Sequence, residues 1–321
     1  MALENGEIEK FVGLKPEHFN QIISHCREHE RSPKISTAAR LFIFLKFARE
    51  GRSENMLAKD IGICQSTVSR IIHEMIDDLV AVAPHYIKFP TTKEEIVALE
   101  RGFLSKCDHW GRPRNVPCFG TIDGKHWATE HPPHSGSLNA NYKKFFSYNS
   151  LFVCDSDGRV MYLEVSELGV NNDAQLFRDS PLPLMLHDTV KAAGYRLLDD
   201  NITILPPFLV GDNGFGFTKH IMQPYRGELS DEQMRFNRKL SAVRVSIENV
   251  FGRMNSKFQV FDRNLKLAPH YSRCLIAALS VVHNIQLGPF PLCDVVNSAM
   301  MSDPYGTPEE MRIALKNYML G

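Results

Sequence analysis

No stretch of the chain approaches the roughly 18 continuous apolar residues of a membrane span, and the opening MALENGEIEK lacks the charged-then-apolar pattern of a secretory signal. These absences predict an intracellular protein without a membrane contact. Paired cysteines are missing as well. The seven cysteines (Cys26, Cys64, Cys107, Cys118, Cys154, Cys274 and Cys293) are odd in number and never form a CxxC pair. They argue for reduced thiols and against a disulfide framework or a zinc ribbon. There are no internal repeats or low-complexity tracts, and there is no excess of charge. Lys+Arg and Asp+Glu both total 37, which argues against a protein that grips nucleic acid over its whole surface.

What is present is a chain of 321 residues, 43% hydrophobic, long enough for a full core and a second small domain. Its charge is uneven. Residues 1–100 hold 13 basic and 15 acidic side chains, whereas Asp231 to Lys266 holds 8 basic against 4 acidic, so a polyanion would be steered to the second region.

The first hundred residues read as helices: Lys15 to His29, Ser36 to Glu50, Glu54 to Ile61, Gln65 to Val82, and a segment opened by the capping pattern Thr92-Lys-Glu-Glu95. From Cys118 the period changes. CFGTID, SYNSLFVC and RVMYLEV are short apolar, β-branched runs, the last two joined into a hairpin by the turn Asp155-Ser-Asp-Gly158. Helices follow near Asp173 and from Pro183 to Lys191, then the apolar run Ile204 to Val210. A long helix carrying Glu248, an apolar helix from Pro269 to Gln286, and a capped tail helix after Thr307 complete the chain. The expectation is an α/β protein with three parts. A helical region, 1–100, is followed by a β-β-β-α-β-α core within 101–290 and a tail, 291–321.

Within the long helix, Leu240, Val243, Ile247, Val250, Phe251, Met254 and Phe258 form a buried stripe, which puts Glu248 at its edge. The bland reading is an ion pair with Arg244, four residues earlier, although that order opposes the helix dipole. Two further acids, Asp123 in GTIDGKHW and Asp212 in LVGDNGFG, are expected to end strands. Gly124, Gly211 and Gly214 beside them permit a sharp exit and close approach. An Asp-Gly pair after a strand is ordinarily a turn. Three acids converging without basic partners, however, repel one another unless a cation holds them, and hard oxygen donors suit Mg²⁺ or Mn²⁺.

The stretches GTIDGKHW, NYKKFFSYNSLFVCD, GVNNDAQLFRDS, LVGDNGFG and FNRKLSAVRVSIENVFGRMNSKF resemble, in order and spacing, the PIF/Harbinger-type DDE transposases and their domesticated nuclease-like relatives. The resemblance covers Phe119 to Phe261, with 35 residues between Asp212 and Glu248. It implies an RNase H-like core, a mixed sheet with flanking helices, in which Asp123, Asp212 and Glu248 bind divalent metal and cut DNA. Asp173 would be an auxiliary acid, and Lys125, Lys143, Lys144, Arg238 and Arg244 would lie near substrate phosphates. It further implies a nuclear location and a Myb/SANT-like partner. Lys125, Phe215, Tyr142 and Asn172 stand where the family usually has Thr, Tyr, Arg and His. An intact triad in altered surroundings also fits a catalytically idle, domesticated binding protein.

Weaker signals remain. Residues 54–80 have helix-turn-helix form, with Gly62-Ile-Cys64 as the turn delivering Ser66, Thr67 and Arg70 to a major groove. Glu74, Asp77 and Asp78 would weaken phosphate grip there, so a plain helical packing unit is the alternative. His126, His131 and His134 with Cys107 and His109 fit no standard zinc spacing. DSDG lacks the later acids of a calcium loop.

Overall fold

The computed structural model describes residues 5–27, 35–107, 111–112, 114–131, 138–141, 143–291 and 301–321. His109, His134, Tyr142 and Cys293 lie outside the described residues. The helical region comprises α1 (Asn5–Val12), α2 (Pro16–Ile23), α3 (Thr37–Glu50), α4 (Glu54–Ile61), α5 (Gln65–Ala81), the single turn α6 (Ala83–Tyr86) and α7 (Lys93–Leu104). Ser36 and Ser53 cap α3 and α4 through their hydroxyls, and Thr92 and Glu95 form the expected capping box of α7. Gly51 and Gly62 close α3 and α4 at φ 59° and 77°. The tight packing of Gly51 is specific: a Cβ there would lie 2.6 Å from the Gln259 carbonyl oxygen. The expected helices are present, with α2 ending at Ile23, short of His29. α1 and α6 have no counterpart in the sequence reading.

The strands are β1 (Gly120–Ala128), β2 (Ser147–Cys154), β3 (Val160–Val165), β4 (Arg196–Leu197), β5 (Ile204–Leu205), β6 (Leu209–Val210) and β7 (Ile221–Met222). Five of them make a mixed sheet of order β3-β2-β1-β6-β7. β2 is antiparallel to β1 and β3, and β6 and β7 run parallel to β1 and to each other. The hairpin turn is as expected: Asp155 accepts from the N–H groups of Asp157 and Arg159 at 2.9 and 2.8 Å, which explains DSDG without a cation. The run Ile204 to Val210 is broken by Pro206-Pro207 into β5, which pairs β4, and β6.

Helices α8 (Asp173–Asp179) and α9 (Leu182–Ala193) cover one sheet face, where Leu176 and Leu186 meet Ile122, Leu151 and Val153. The other face carries α10 (Asp231–Lys257), opened by a Ser230/Gln233 capping box, and α11 (Pro269–Ile285), linked by the 3-10 turn Gln259–Asp262. The buried stripe of α10 is Phe236, Leu240, Val243, Ile247, Val250 and Met254. Its first half is sealed by α12 (Pro308–Leu320) through Met311, Leu315 and Met319. The helical region is not a separate body. Ile71, Ile72, Met75 and Ile76 of α5 share one core with Leu275, Leu279 and Val282 of α11 and with Trp127 and Phe152 of the sheet. Among the described residues no helix is long and apolar enough to cross a membrane.

Candidate active site

β1 alternates its faces. Thr121 meets Ser246 of α10 with the hydroxyls 2.9 Å apart, and Lys125 lies against Phe251, so Asp123 between them also faces α10. Parallel pairing of β1 with β6 covers only Gly120↔Leu209 and Thr121↔Val210. Asp123 and Asp212 each stand two residues beyond that last pair, side by side where the strands splay. Ligands of open α/β sheets gather at such a point. Asp123 does not end its strand, contrary to expectation. β1 continues to Ala128 because β2 stays paired along its whole length. Asp212 does leave the sheet, in a turn where its carboxylate accepts the Gly214 N–H at 2.7 Å.

Gly124 makes no sharp exit either; its missing side chain admits Asp173. A Cβ at Gly124 would lie 2.0 Å from Asp173 Oδ1. Asp173 opens α8 behind the cap Asn172, whose side chain accepts from Gln175 N–H at 2.8 Å, so Asn in place of the family's His serves the helix. The buried Asn149 of β2 donates to Asp173 Oδ1 at 3.0 Å and to the Asn171 carbonyl at 2.9 Å. The sequence reading missed Asn149. The signal was an amide within a strand that is buried throughout. Burial pushes the Asp123 carboxyl up to about 6; Arg244 and the Gly124 N–H pull against this, while Asp212 and Asp173 add to the rise.

Glu248 is exposed, its side chain at 57%, on the face of α10 away from the apolar stripe. Glu248 thus stands outside the stripe whose edge was expected to carry it. Arg244, expected as a partner of Glu248 alone, reaches two acids: its Nη2 lies 3.5 Å from Asp123 Oδ2 and 3.8 Å from Glu248 Oε1. The ion pair with Glu248 is present, and the same guanidinium reaches Asp123.

The other expected residues divide. Lys125 is half-buried on the Asp123 face, its ammonium 4.7 Å from the Trp127 ring and 5.4 Å from that of Phe251, and burial lowers its proton affinity. Lys143 and Lys144 are exposed on a loop pinned by Asn141, and the charge of Lys143 reaches Lys125 and His126. Arg238 is exposed on α10, ten residues and thus about 15 Å before Glu248. Ser66, Thr67 and Arg70 stand on α5, which packs on α3, α4 and α11. There both hydroxyls lie within 3.4 Å of Cys64 Sγ and Arg70 pairs with Glu74 at 3.1 Å. His126 bonds Ser147 at 2.9 Å and His131 packs edge-on to Phe146, uses that leave no zinc set among the described histidines.

The donor set fits a hard divalent cation in part. Asp123 and Asp212 offer only oxygen, and the Asp212 charge adds a small part to the rise that burial causes at Asp123. Among the described residues, however, no three His, Cys, Asp or Glu side chains are gathered closely enough to share one ion.

Comparison with known proteins gives the family. Residues 122–284, just over half of the chain and including all three acids, match the family model described as DDE superfamily endonuclease. The human protein named "Putative nuclease HARBI1" is 28% identical over 287 residues, covering 88% of this chain and 76% of its own; its Xenopus laevis namesake is 26% identical, covering 82% and 72%. "Protein ALP1-like" of Arabidopsis thaliana is 24% identical, covering 78% of this chain and 61% of its own. No solved structure matches. The mixed sheet flanked by helices is consistent with a DDE nuclease fold, and the chain belongs to the DDE superfamily endonucleases, in the Harbinger transposase-derived group.

Proposed function

We propose that this chain is a divalent-metal-dependent nuclease of transposase-like type that acts on DNA, built on an RNase H-like core with Asp123, Asp212 and Glu248 as its carboxylate triad. The observation that carries the reading is the register. Two acids stand in equivalent positions beyond the last β1–β6 pair, below a helix that brings Glu248 to the same arginine. Mg²⁺ or Mn²⁺ held by these acids would supply the Lewis acidity for in-line displacement at a phosphodiester. The protein's own part is positioning. The strand fixes Asp123, the Gly214 N–H fixes Asp212, and Asn149 holds Asp173, as an auxiliary acid, against β1 at Gly124 on the opposite face of the strand. Lys125 and Lys143 place positive charge on the approach for a phosphate strand.

The α4–α5 pair is the proposed site of duplex contact through Ser66 and Thr67. With Arg70 engaged by Glu74, grip there would depend on a basic partner, for which a Myb/SANT-like protein in the nucleus is the candidate. Nicking of supercoiled plasmid with Mg²⁺ or Mn²⁺, beside Glu248→Gln, tests the reading: metal-dependent cleavage by the parent and none by the variant is expected. A specific observation favours a second reading, the idle binding protein: Arg244 already neutralises Asp123 and Glu248. Absence of nicking in both proteins, with the partner added, would establish that reading instead.

A further inference from the structure

Several arginines elsewhere in this protein are well satisfied. Arg27 Nε meets Asp78 at 2.6 Å, Arg159 donates to the Gly288 and Leu287 carbonyls at 2.7 and 2.9 Å, and Arg114 donates to Ala242 at 2.7 Å. Several leave Nε unpaired but donate from the fork. Arg244 differs. Its Nε is buried without a partner, and its two carboxylate contacts, at 3.5 and 3.8 Å, are too long for hydrogen bonds, so among the described residues it makes none. The side chain is only 21% exposed, yet it is held by charge alone between acids on two different elements. A planar fork of five donors with no fixed acceptor is poised for bidentate capture of a phosphate.

Resting on the carboxylate reading above, we propose that Arg244 is the resident counter-ion of the metal-free site, and that it passes to a phosphate of the DNA strand when Asp123 and Glu248 take up a cation. Metal and arginine then compete for the same two acids, while metal and DNA cooperate through Arg244. The device keeps the acids from repelling one another in the empty protein. It also ties Glu248's release to metal uptake.

The test titrates Mn²⁺ calorimetrically, without DNA, into the parent protein, Arg244→Gln, Asp123→Asn and the control Arg235→Gln, which removes the same charge from an exposed position of the same helix away from the triad acids. A labelled duplex is then titrated with Ca²⁺ present. Arg244→Gln should bind Mn²⁺ about ten-fold more tightly, the effect of losing two competing ion pairs, with Arg235→Gln within about two-fold of the parent. Its melting temperature should fall without Mn²⁺ and recover with it, which a merely structural arginine would not show. Duplex affinity should fall about ten-fold, opposite in direction to the metal. Equal Mn²⁺ affinity in the parent and Arg244→Gln would overturn the counter-ion role and leave the carboxylate site standing. Unchanged duplex affinity would overturn the transfer to phosphate. Mn²⁺ binding that is absent, or that survives Asp123→Asn, would overturn the carboxylate site itself.

Discussion

Gly124 and Asp173 occupy space that only one side chain can fill, which makes Gly124→Ala a sensitive probe of the site. The added methyl, 2.0 Å from Asp173 Oδ1, has to expel that carboxylate and break its bond to Asn149. A loss on the order of 1–3 kcal/mol is expected from thermal melts. Asn149→Ala should free Asp173 without crowding β1, so a loss of nicking in both variants would trace to Asp173. Asp123 sets a pH dependence. Its folded value of about 6 lies above the ordinary carboxyl value, so between about 4 and 6 the native state binds more protons than the unfolded one, and metal-free stability falls as pH rises through that window. Asp123→Asn removes that slope, so its melting temperature relative to the parent should rise from pH 4.5 to pH 7.

Helix α10 carries the consequences of packing at both ends. Its second half lies in the core shared with α5 and α11, and its first half depends on α12, whose Met311, Leu315 and Met319 cover Phe236, Leu240 and Val243. Each of these side chains contributes roughly 1.5–3 kcal/mol when fully buried. Deletion of residues 307–321 should therefore lower stability by several kcal/mol and loosen the helix that presents Arg244 and Glu248, with nicking and melting temperature falling together. Substitution of exposed Arg238 should leave stability, read from the melts, within about 0.5 kcal/mol of the parent.

Across the whole molecule, the helical region and the sheet are joined by burial. Residues 1–100 expressed alone would expose Ile71, Ile72, Met75 and Ile76, and are expected to lack a cooperative unfolding transition by circular dichroism. A second joint lies at His283, buried on α11 with Nε2 2.8 Å from the Gly158 carbonyl; burial lowers its proton affinity to about 4. Between about 4 and 6.5 the unfolded chain binds the extra proton, so this contribution is present above pH 6.5 and is lost as pH falls toward 4. His283→Gln should flatten that acid limb in melts of the otherwise intact protein.

Much of the molecule was legible because local chemistry decided it. Capping residues at Thr92 and Thr307 and periods of 3.6 and 2 located most helices and the three long strands, and the order of acids marked the candidate site. The two-residue strands β4 and β7 carry too little pattern to be seen, and α1 is too short. Long-range pairing decided the rest. Whether Asp123 ends a strand depends on β2, which lies more than twenty residues away in the chain. Whether Gly124 marks a turn depends on Asp173, and whether Glu248 faces the acids or solvent depends on how α10 is rolled against β1. Sequence by itself determined which residues are candidates for the chemistry, since acid type, spacing and helix period are properties of neighbours along the chain. Only the tertiary structure decided that Arg244 stands between them, because the distance from Arg244 to Asp123 is set by the packing of a helix on a sheet.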